Sequence, residues 1–368
     1  MIADATLLND GRLVRITWRD GENRDFAARW LFDHADESRD PISGQRGHGA
    51  LALERASRLE AARIEDDGLI VRFEAGGPER RIDVGRLRDG CGSDAPLISP
   101  WPTPDSITKA RPIPFAAYMS DDLALRETLS RVSRWGLAVL VGAGCAPGAV
   151  ERAVARFGFV RETNYGRLFD VRIEAQPRNL AFSDRPLDLH TDNPYRDPVP
   201  TLQLLHAITA DDDGGATLFV DALAHAEALR REAPDAFETL ARTPVRFSFG
   251  GDDAARWSFV SPVLGLDATG AVEIVRLNHR SLDLAHNDPV AVEAWYEAYL
   301  AFYRRLHAPA AAFEMRLAPG DLVIFDNRRL VHGRRAMASA SPRWLQGCYA
   351  DVDGLLATLA RLERTGVR

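Results

Sequence analysis

Apolar and polar residues alternate with a period near two over Arg12-Leu-Val-Arg-Ile-Thr-Trp18 and over Leu69-Ile-Val-Arg-Phe73. Charged, glycine-containing turns separate them, so the pattern predicts short strands and a small β-rich N-terminal domain. The stretch Leu97-Ile-Ser-Pro-Trp-Pro-Thr-Pro104 spaces its prolines too closely for a helix and marks a linker, which sets expected domains at residues 1–98 and 105–368. Beyond the linker the period changes. Ser120-Asp-Asp offers a cap, and Leu123, Leu125, Leu129 and Val132 share a face, predicting a helix at about 121–135. A buried strand, Leu137-Ala-Val-Leu-Val141, and a short helix from Pro147 to about Phe157 follow. The remainder alternates like strands joined by long loops, broken by one helical pattern from about Pro289 to Leu306, with no internal repeat. This is a mainly β chain with flanking helices, and long insertions between strands suggest a double-stranded β-helix, or jelly roll, as its larger domain.

Composition narrows the class. At 368 residues, with 46% apolar and 27% charged residues, the chain can bury a substantial core and is neither disordered nor fibrous. A net charge of −7 with scattered arginines argues against nucleic acid, which needs a basic stripe. The N-terminus lacks the pattern of a signal peptide, and no run reaches the roughly 18 apolar residues of a membrane span, so no membrane association and a cytoplasmic location are expected. Cys91, Cys145 and Cys348 lie far apart, which points to free thiols rather than a disulfide framework or a cysteine-rich zinc site.

The candidate chemistry lies in His190-Thr-Asp192 and in His332, 140 residues past the aspartate. Two imidazoles and one carboxylate can occupy one face of divalent iron and leave the other open. A His-x-Asp triplet alone is common by chance; in a strand, though, its two side chains point to one face, as a chelate requires. Pro319-Gly-Asp-Leu-Val-Ile-Phe-Asp326 predicts a turn and strand delivering His332 just beyond its end. Arg343 follows eleven residues later; alone it would suit a solvated surface, but beside the triad its guanidinium can grip a carboxylate through two parallel hydrogen bonds.

The segments from His190-Thr-Asp-Asn-Pro-Tyr-Arg to Leu-Gln-Leu-Leu-His206, Gly214-Gly-Ala-Thr217-Leu-Phe-Val-Asp221 and Phe325-Asp-Asn-Arg-Arg-Leu-Val-His332 resemble the γ-butyrobetaine hydroxylases of the wider taurine dioxygenase-like superfamily, over roughly residues 110–365. The resemblance implies an Fe(II) enzyme with 2-oxoglutarate and dioxygen as co-substrates, and ascorbate as an activator in vitro. It implies that His190, Asp192 and His332 bind the iron, that Arg343 binds the far carboxylate of 2-oxoglutarate, and that Thr217 adds a hydroxyl, although Thr217 also suits a strand as a plain β-branched residue.

In that family an aromatic cage holds a trimethylammonium group by cation–π attraction. The matching positions here are Tyr165, Phe169, Phe182 and Tyr349, each of which would otherwise suit a core. Asn179 matches an asparagine that contacts the substrate anion. Asn278 and Arg280 lie where a second anion contact is expected, and the full charge of Arg280 tilts the reading from γ-butyrobetaine toward 2-(trimethylammonio)ethylphosphonate, unless Arg280 turns outward to Asp283. Trimethyllysine or sulfonate oxygenation and a non-catalytic cupin-like binding module are the alternatives. The family's N-terminal zinc cysteines are replaced by Ala35, Glu37 and Asp40, so no structural zinc is expected, although His34 and His48 leave room for a weaker site with Glu37 or Asp40. The family resemblance implies a homodimer.

Overall fold

The structure, a computed structural model, describes every residue except 67, 75–76, 78, 90–100, 102–106, 108–110, 174–182, 211–213, 251–255, 286–287, 339–340 and 367–368. The chain divides into two compact units, Met1–Ala95 and Pro96–Arg368. Residues 97–104 lie outside the described residues apart from Trp101, whose indole nitrogen donates to the Trp135 carbonyl at 2.7 Å.

The first unit holds two three-stranded antiparallel sheets. One is built from β1 (Ile2–Leu8), β2 (Leu13–Trp18) and β3 (Asn23–Ala27), the other from β4 (Leu59–Glu65), β5 (Gly68–Phe73) and β6 (Glu79–Asp83). Val14, Ile16 and Trp18 point inward from β2 and pack with Leu69, Val71 and Phe73 of β5, the period-two pattern that predicted both strands.

The second unit contains β7 (Ile113–Pro114), β8 (Leu137–Val141), β9 (Val160–Arg161), β10 (Phe169–Val171), β11 (Leu187–His190), β12 (Leu202–Thr209), β13 (Thr217–Asp221), β14 (Val245–Gly250), β15 (Arg256–Ser261), β16 (Leu264–Leu266), β17 (Val272–Val275), β18 (Leu282–Asp283), β19 (Phe313–Met315), β20 (Leu322–Asp326), β21 (Leu330–Arg334) and β22 (Trp344–Ala350). A seven-stranded sheet runs β10-β22-β12-β20-β8-β7, with β9 also on β22, and a four-stranded sheet runs β11-β21-β13-β19. Alternation on the large sheet gives two buried faces. Ala138, Leu140, Leu202, Leu204, Leu322 and Ile324 pack against the helices Asp122–Trp135, Ala149–Val154 and Val352–Arg364. Leu205, Ala207, Val323 and Phe325 face the small sheet, where Phe219 of β13 meets Phe325 at a ring separation of 5.0 Å.

The helix predicted at about 121–135 spans Asp122–Trp135, capped by the Asp121 carboxylate and ended by Gly136 at a φ of 77°. Its inward face differs from the expectation: Thr128 joins Leu125, Leu129 and Val132, whereas Leu123 is exposed in the first turn. The helix expected from Pro147 to Phe157 is only Ala149–Val154, because the amides of Phe157 and Gly158 both turn back to the Val154 carbonyl. Pro289–Leu306 forms as expected, with Asp288 capping and Trp295, Tyr299, Phe302 and Leu306 buried. The expectation of strands and loops elsewhere missed the helices Ala222–Glu232, Pro234–Arg242 and Val352–Arg364.

One ion pair ties several of these elements together. Arg329 donates through Nε and Nη2 to Asp221 at 3.1 and 2.6 Å with both side chains buried, and its Nη1 reaches the Arg134 carbonyl. The same carboxylate caps the helix Ala222–Glu232 through the Ala224 amide and accepts the Trp101 amide. Breaking a buried pair leaves a stranded charge, which typically costs about 3–5 kcal/mol. Arg329→Met is therefore expected to lower the unfolding free energy by about that amount in chemical denaturation. Arg335→Met, which removes an exposed pair with Glu314, should leave it nearly unchanged.

Candidate active site

β11 and β21 are antiparallel neighbours with His190 directly opposite His332, so both imidazoles leave one face with ring centroids 4.4 Å apart. His332 thus sits inside a strand rather than just beyond one. Asp192 also departs from expectation, because β11 ends at His190 and the aspartate lies in the turn that follows. That turn is set by local chemistry. The Thr191 amide donates to the Leu277 carbonyl at 2.6 Å, the Thr191 hydroxyl accepts the Leu277 amide at 3.0 Å, and Asn193 adopts a left-handed φ of 54°, which asparagine tolerates. Asp192 swings back so that its oxygens lie 3.3 Å from His190 Nε2 and 4.0 Å from His332 Nε2. One donor atom from each of the three residues falls within 4.8 Å of the others, the one such grouping among the described residues.

The surroundings put each group in the form a cation requires. His190 Nδ1 donates to the Asp188 carbonyl at 2.8 Å, which leaves the Nε2 lone pair turned toward Asp192. Burial, helped by the neighbouring His190, pushes the His332 pKa down to about 3, so its ring is neutral near pH 7. Burial by itself would raise Asp192. The proximity of His190, then of His332, and the Tyr349 hydroxyl outweigh it and hold the carboxyl well below its usual range. The Tyr349 hydroxyl donates to Asp192 Oδ2 at 2.8 Å, and burial together with the Asp192 charge keeps it protonated. The His190 ring with Nδ1 committed to a carbonyl, the neutral His332 ring and an ionised carboxylate fit a divalent iron with open positions.

A residue that sequence reasoning missed holds this arrangement. Asn327, in the turn before β21, accepts the Asp192 amide at 2.8 Å and donates to the Asp192 carbonyl at 3.0 Å and the Pro200 carbonyl at 2.9 Å. It had been visible only as part of the motif around His332, because its partners lie more than a hundred positions away.

The triad opens into a cavity of about 80 Å³ that Thr217 and Arg343 also line. Arg343 is buried beside Gly215, where an added Cβ would lie only 3.0 Å from Arg343 Cδ and where the φ of 63° is one that other residues rarely adopt. Tyr165, Phe169 and Tyr349 line the same cavity, with Phe169 and Tyr349 centroids 4.9 Å apart and Tyr165 and Phe169 6.3 Å apart. Tyr195 and Phe249, not singled out in the sequence, extend the aromatic cluster: their rings stack at 5.1 Å, and Phe249 lies 6.0 Å from Tyr165. Asn179 and Phe182 lie outside the described residues. Arg280 stands exposed on the 3-10 turn His279–Ser281 and is not among the residues lining the cavity, whereas Asn278 beside it is buried with its side-chain oxygen unpaired. In the first unit, Glu37 accepts the Arg81 amide and Asp40 accepts the amides of Ile42 and Ser43, while His34 and His48 lie 3.9 and 3.8 Å from the Asp33 carboxylate. No helix among the described residues is long and apolar enough to cross a membrane.

The chain is similar to several known dioxygenases. γ-Butyrobetaine dioxygenase from Pseudomonas sp. (strain AK-1) is 35% identical over 360 residues, covering 95% of this chain and 94% of the relative. Mitochondrial trimethyllysine dioxygenase from Gallus gallus is 30% identical over 251 residues, covering 67% of this chain and 59% of the relative. Among solved structures, the PvcB protein from Pseudomonas aeruginosa aligns with a TM-score of 0.47 at 24% identity, covering 63% of this chain and 80% of that one. The family model described as taurine catabolism dioxygenase TauD, TfdA family matches residues 99–349, and the chain belongs to that family of dioxygenases.

Proposed function

We propose that this dioxygenase uses Fe(II) and 2-oxoglutarate to hydroxylate a trimethylammonium-bearing zwitterion, with γ-butyrobetaine as the first substrate to test. The observation that carries the reading is one cavity lined by the His190, Asp192 and His332 triad, by Arg343 and Thr217, and by the rings of Tyr165, Phe169 and Tyr349. The two facing sheets are read as a double-stranded β-helix, and the protein as a cytoplasmic homodimer whose iron ascorbate keeps reduced in vitro.

Iron(II) with 2-oxoglutarate supplies an oxidant from dioxygen, releasing succinate and carbon dioxide and placing one oxygen atom on the substrate. The remaining work belongs to the chain. The Asp188 carbonyl fixes the His190 tautomer, and Tyr349 and Asn327 fix Asp192. Arg343 and the Thr217 hydroxyl hold the far carboxylate of the co-substrate. The aromatic faces hold a cation that has no N–H to satisfy, which orients the target carbon. Phe219 and Phe325, packed around His332, exclude water from that space.

The anion of the substrate separates two readings. Neither the buried Asn278, whose unpaired atom is its side-chain oxygen, nor the exposed Arg280 is among the residues lining the cavity, so the carboxylate reading is supported by the likeness to the γ-butyrobetaine dioxygenase relative. The phosphonate reading has one observation in its favour: the positive charge of Arg280 is felt at His332 and helps to depress its pKa.

With iron, ascorbate and γ-butyrobetaine, the protein is expected to convert 2-oxoglutarate to succinate, and His190→Ala to abolish it; succinate release surviving that substitution refutes the metal assignment. Tyr165→Leu should raise KM for the trimethylammonium substrate roughly tenfold with kcat little changed, as steady-state kinetics would show. Arg280→Ala should leave kcat/KM for γ-butyrobetaine within about twofold. A selective loss with 2-(trimethylammonio)ethylphosphonate, measured side by side by mass spectrometry, would transfer the assignment to the phosphonate.

A further inference from the structure

Gln203 is a cavity residue for which neither the triad nor the aromatic rings provide a use. It lies on β12 with 2% of its surface exposed, directly opposite Tyr349 on β22 and Phe325 on β20. Residues in register across antiparallel strands project from the same face. On that face the Tyr349 hydroxyl holds Asp192, and the Phe325 ring lies 5.0 Å from that of His332. Gln203 lines the cavity with Tyr349, Asp192 and His332, yet its buried Oε1 has no partner and its side chain makes no hydrogen bond to any described residue. Gln346, on the opposite face of β22, shows the ordinary outcome: its Oε1 accepts the Gly148 amide at 2.6 Å. A buried carboxamide bonded at neither end is unfavourable, and because a half-turn exchanges its oxygen and nitrogen, its N–H donors are free to face a ligand in the cavity.

Strand register indicates which ligand. Moving along β12 from Gln203 through Leu205 to Ala207, the facing residues on β22 run from Tyr349 through Gly347 to Leu345, toward Arg343 at the start of that strand. Gln203 and Arg343 therefore mark opposite ends of one wall, with Gln203 at the end near Asp192. We infer that Gln203 binds the 2-oxo-carboxylate end of the co-substrate as a neutral hydrogen-bond donor, an assignment that rests on the function proposed above. Neutrality suits the position. A glutamate there would repel the co-substrate, and a cation would compete with the metal for Asp192.

Anaerobic titration of the iron(II)-loaded protein with 2-oxoglutarate, followed by the visible charge-transfer absorption of the iron–2-oxo acid chelate, reads this binding without turnover. Gln203→Leu is expected to raise the 2-oxoglutarate Kd about tenfold, the loss expected for one hydrogen bond to a charged group, and Gln203→Glu to raise it further. The Kd of γ-butyrobetaine, measured calorimetrically on protein saturated with 2-oxoglutarate, should stay unchanged. Gln203→Asn keeps the amide on a shorter arm and should fall between wild type and the leucine variant; it also serves if the leucine variant melts at a lower temperature. Unchanged 2-oxoglutarate affinity in a folded variant, or a loss confined to γ-butyrobetaine, overturns the assignment to Gln203 alone. Absence of the absorption band in the wild-type protein would instead overturn the co-substrate reading on which it rests.

Discussion

A carboxylate must stay ionised in a largely enclosed place for this site to exist, and the structure around Asp192 is organised by that demand. Removing a carboxylate from water is unfavourable by several kcal/mol unless hydrogen bonds and opposite charge compensate. Here the side chain faces two imidazoles and the Tyr349 hydroxyl, while Asn327 satisfies the Asp192 backbone on both its donor and its acceptor side. Asn327 belongs to the turn that starts the strand of His332. The same amide thus closes the distance between the two ligand-bearing segments and supplies the hydrogen bonds that a turn outside any strand lacks.

That closure depends on walls that do not give way. β12 and β20 are buried on both faces, one set of side chains fixed by helices and the other facing the cavity and the small sheet. A strand packed on both sides cannot slip by one residue without exchanging Leu204 for Leu205 or Ile324 for Phe325, which would bring the wrong volumes to both cores. Register is therefore strongly fixed where Gln203, Tyr349 and Phe325 meet. The Arg329–Asp221 pair acts at the other side, linking the turn before β21 to the start of a helix.

The grouping of His190, Asp192 and His332 was legible because its residue types and spacing are unusual together, and Arg343, which lines the same cavity, stood out by its place eleven positions past the last histidine. Three other features were hidden for distinct physical reasons. Asp192 looked like a strand residue from its spacing to His190, and only the tertiary hydrogen bonds between Thr191 and Leu277 take it out of the strand. Asn327 has no local partner, so no pattern within its own segment reveals it. The helix Ala222–Glu232 turns Ala222, Leu223, Ala226 and Leu229 inward, a weak apolar stripe, and Pro234–Arg242 buries only Phe237 and Leu240, with Pro234 at a helix start, where it breaks nothing. Leu123 was misplaced because the four apolar positions of its helix span more than one face.

Tyr349 shows how closely the two halves of the proposed chemistry are joined. Its hydroxyl belongs to the ligand side, on Asp192, and its ring belongs to the aromatic side, 4.9 Å from Phe169. A cation resting on that ring would lie against the tyrosine that holds a ligand carboxylate, so substrate position and ligand geometry share one side chain. Phenylalanine at this position would keep the cation–π face and lose the hydrogen bond. The ring and the hydroxyl can therefore be separated chemically, and the burial of Tyr349 makes the hydroxyl the part whose loss cannot be made good by water.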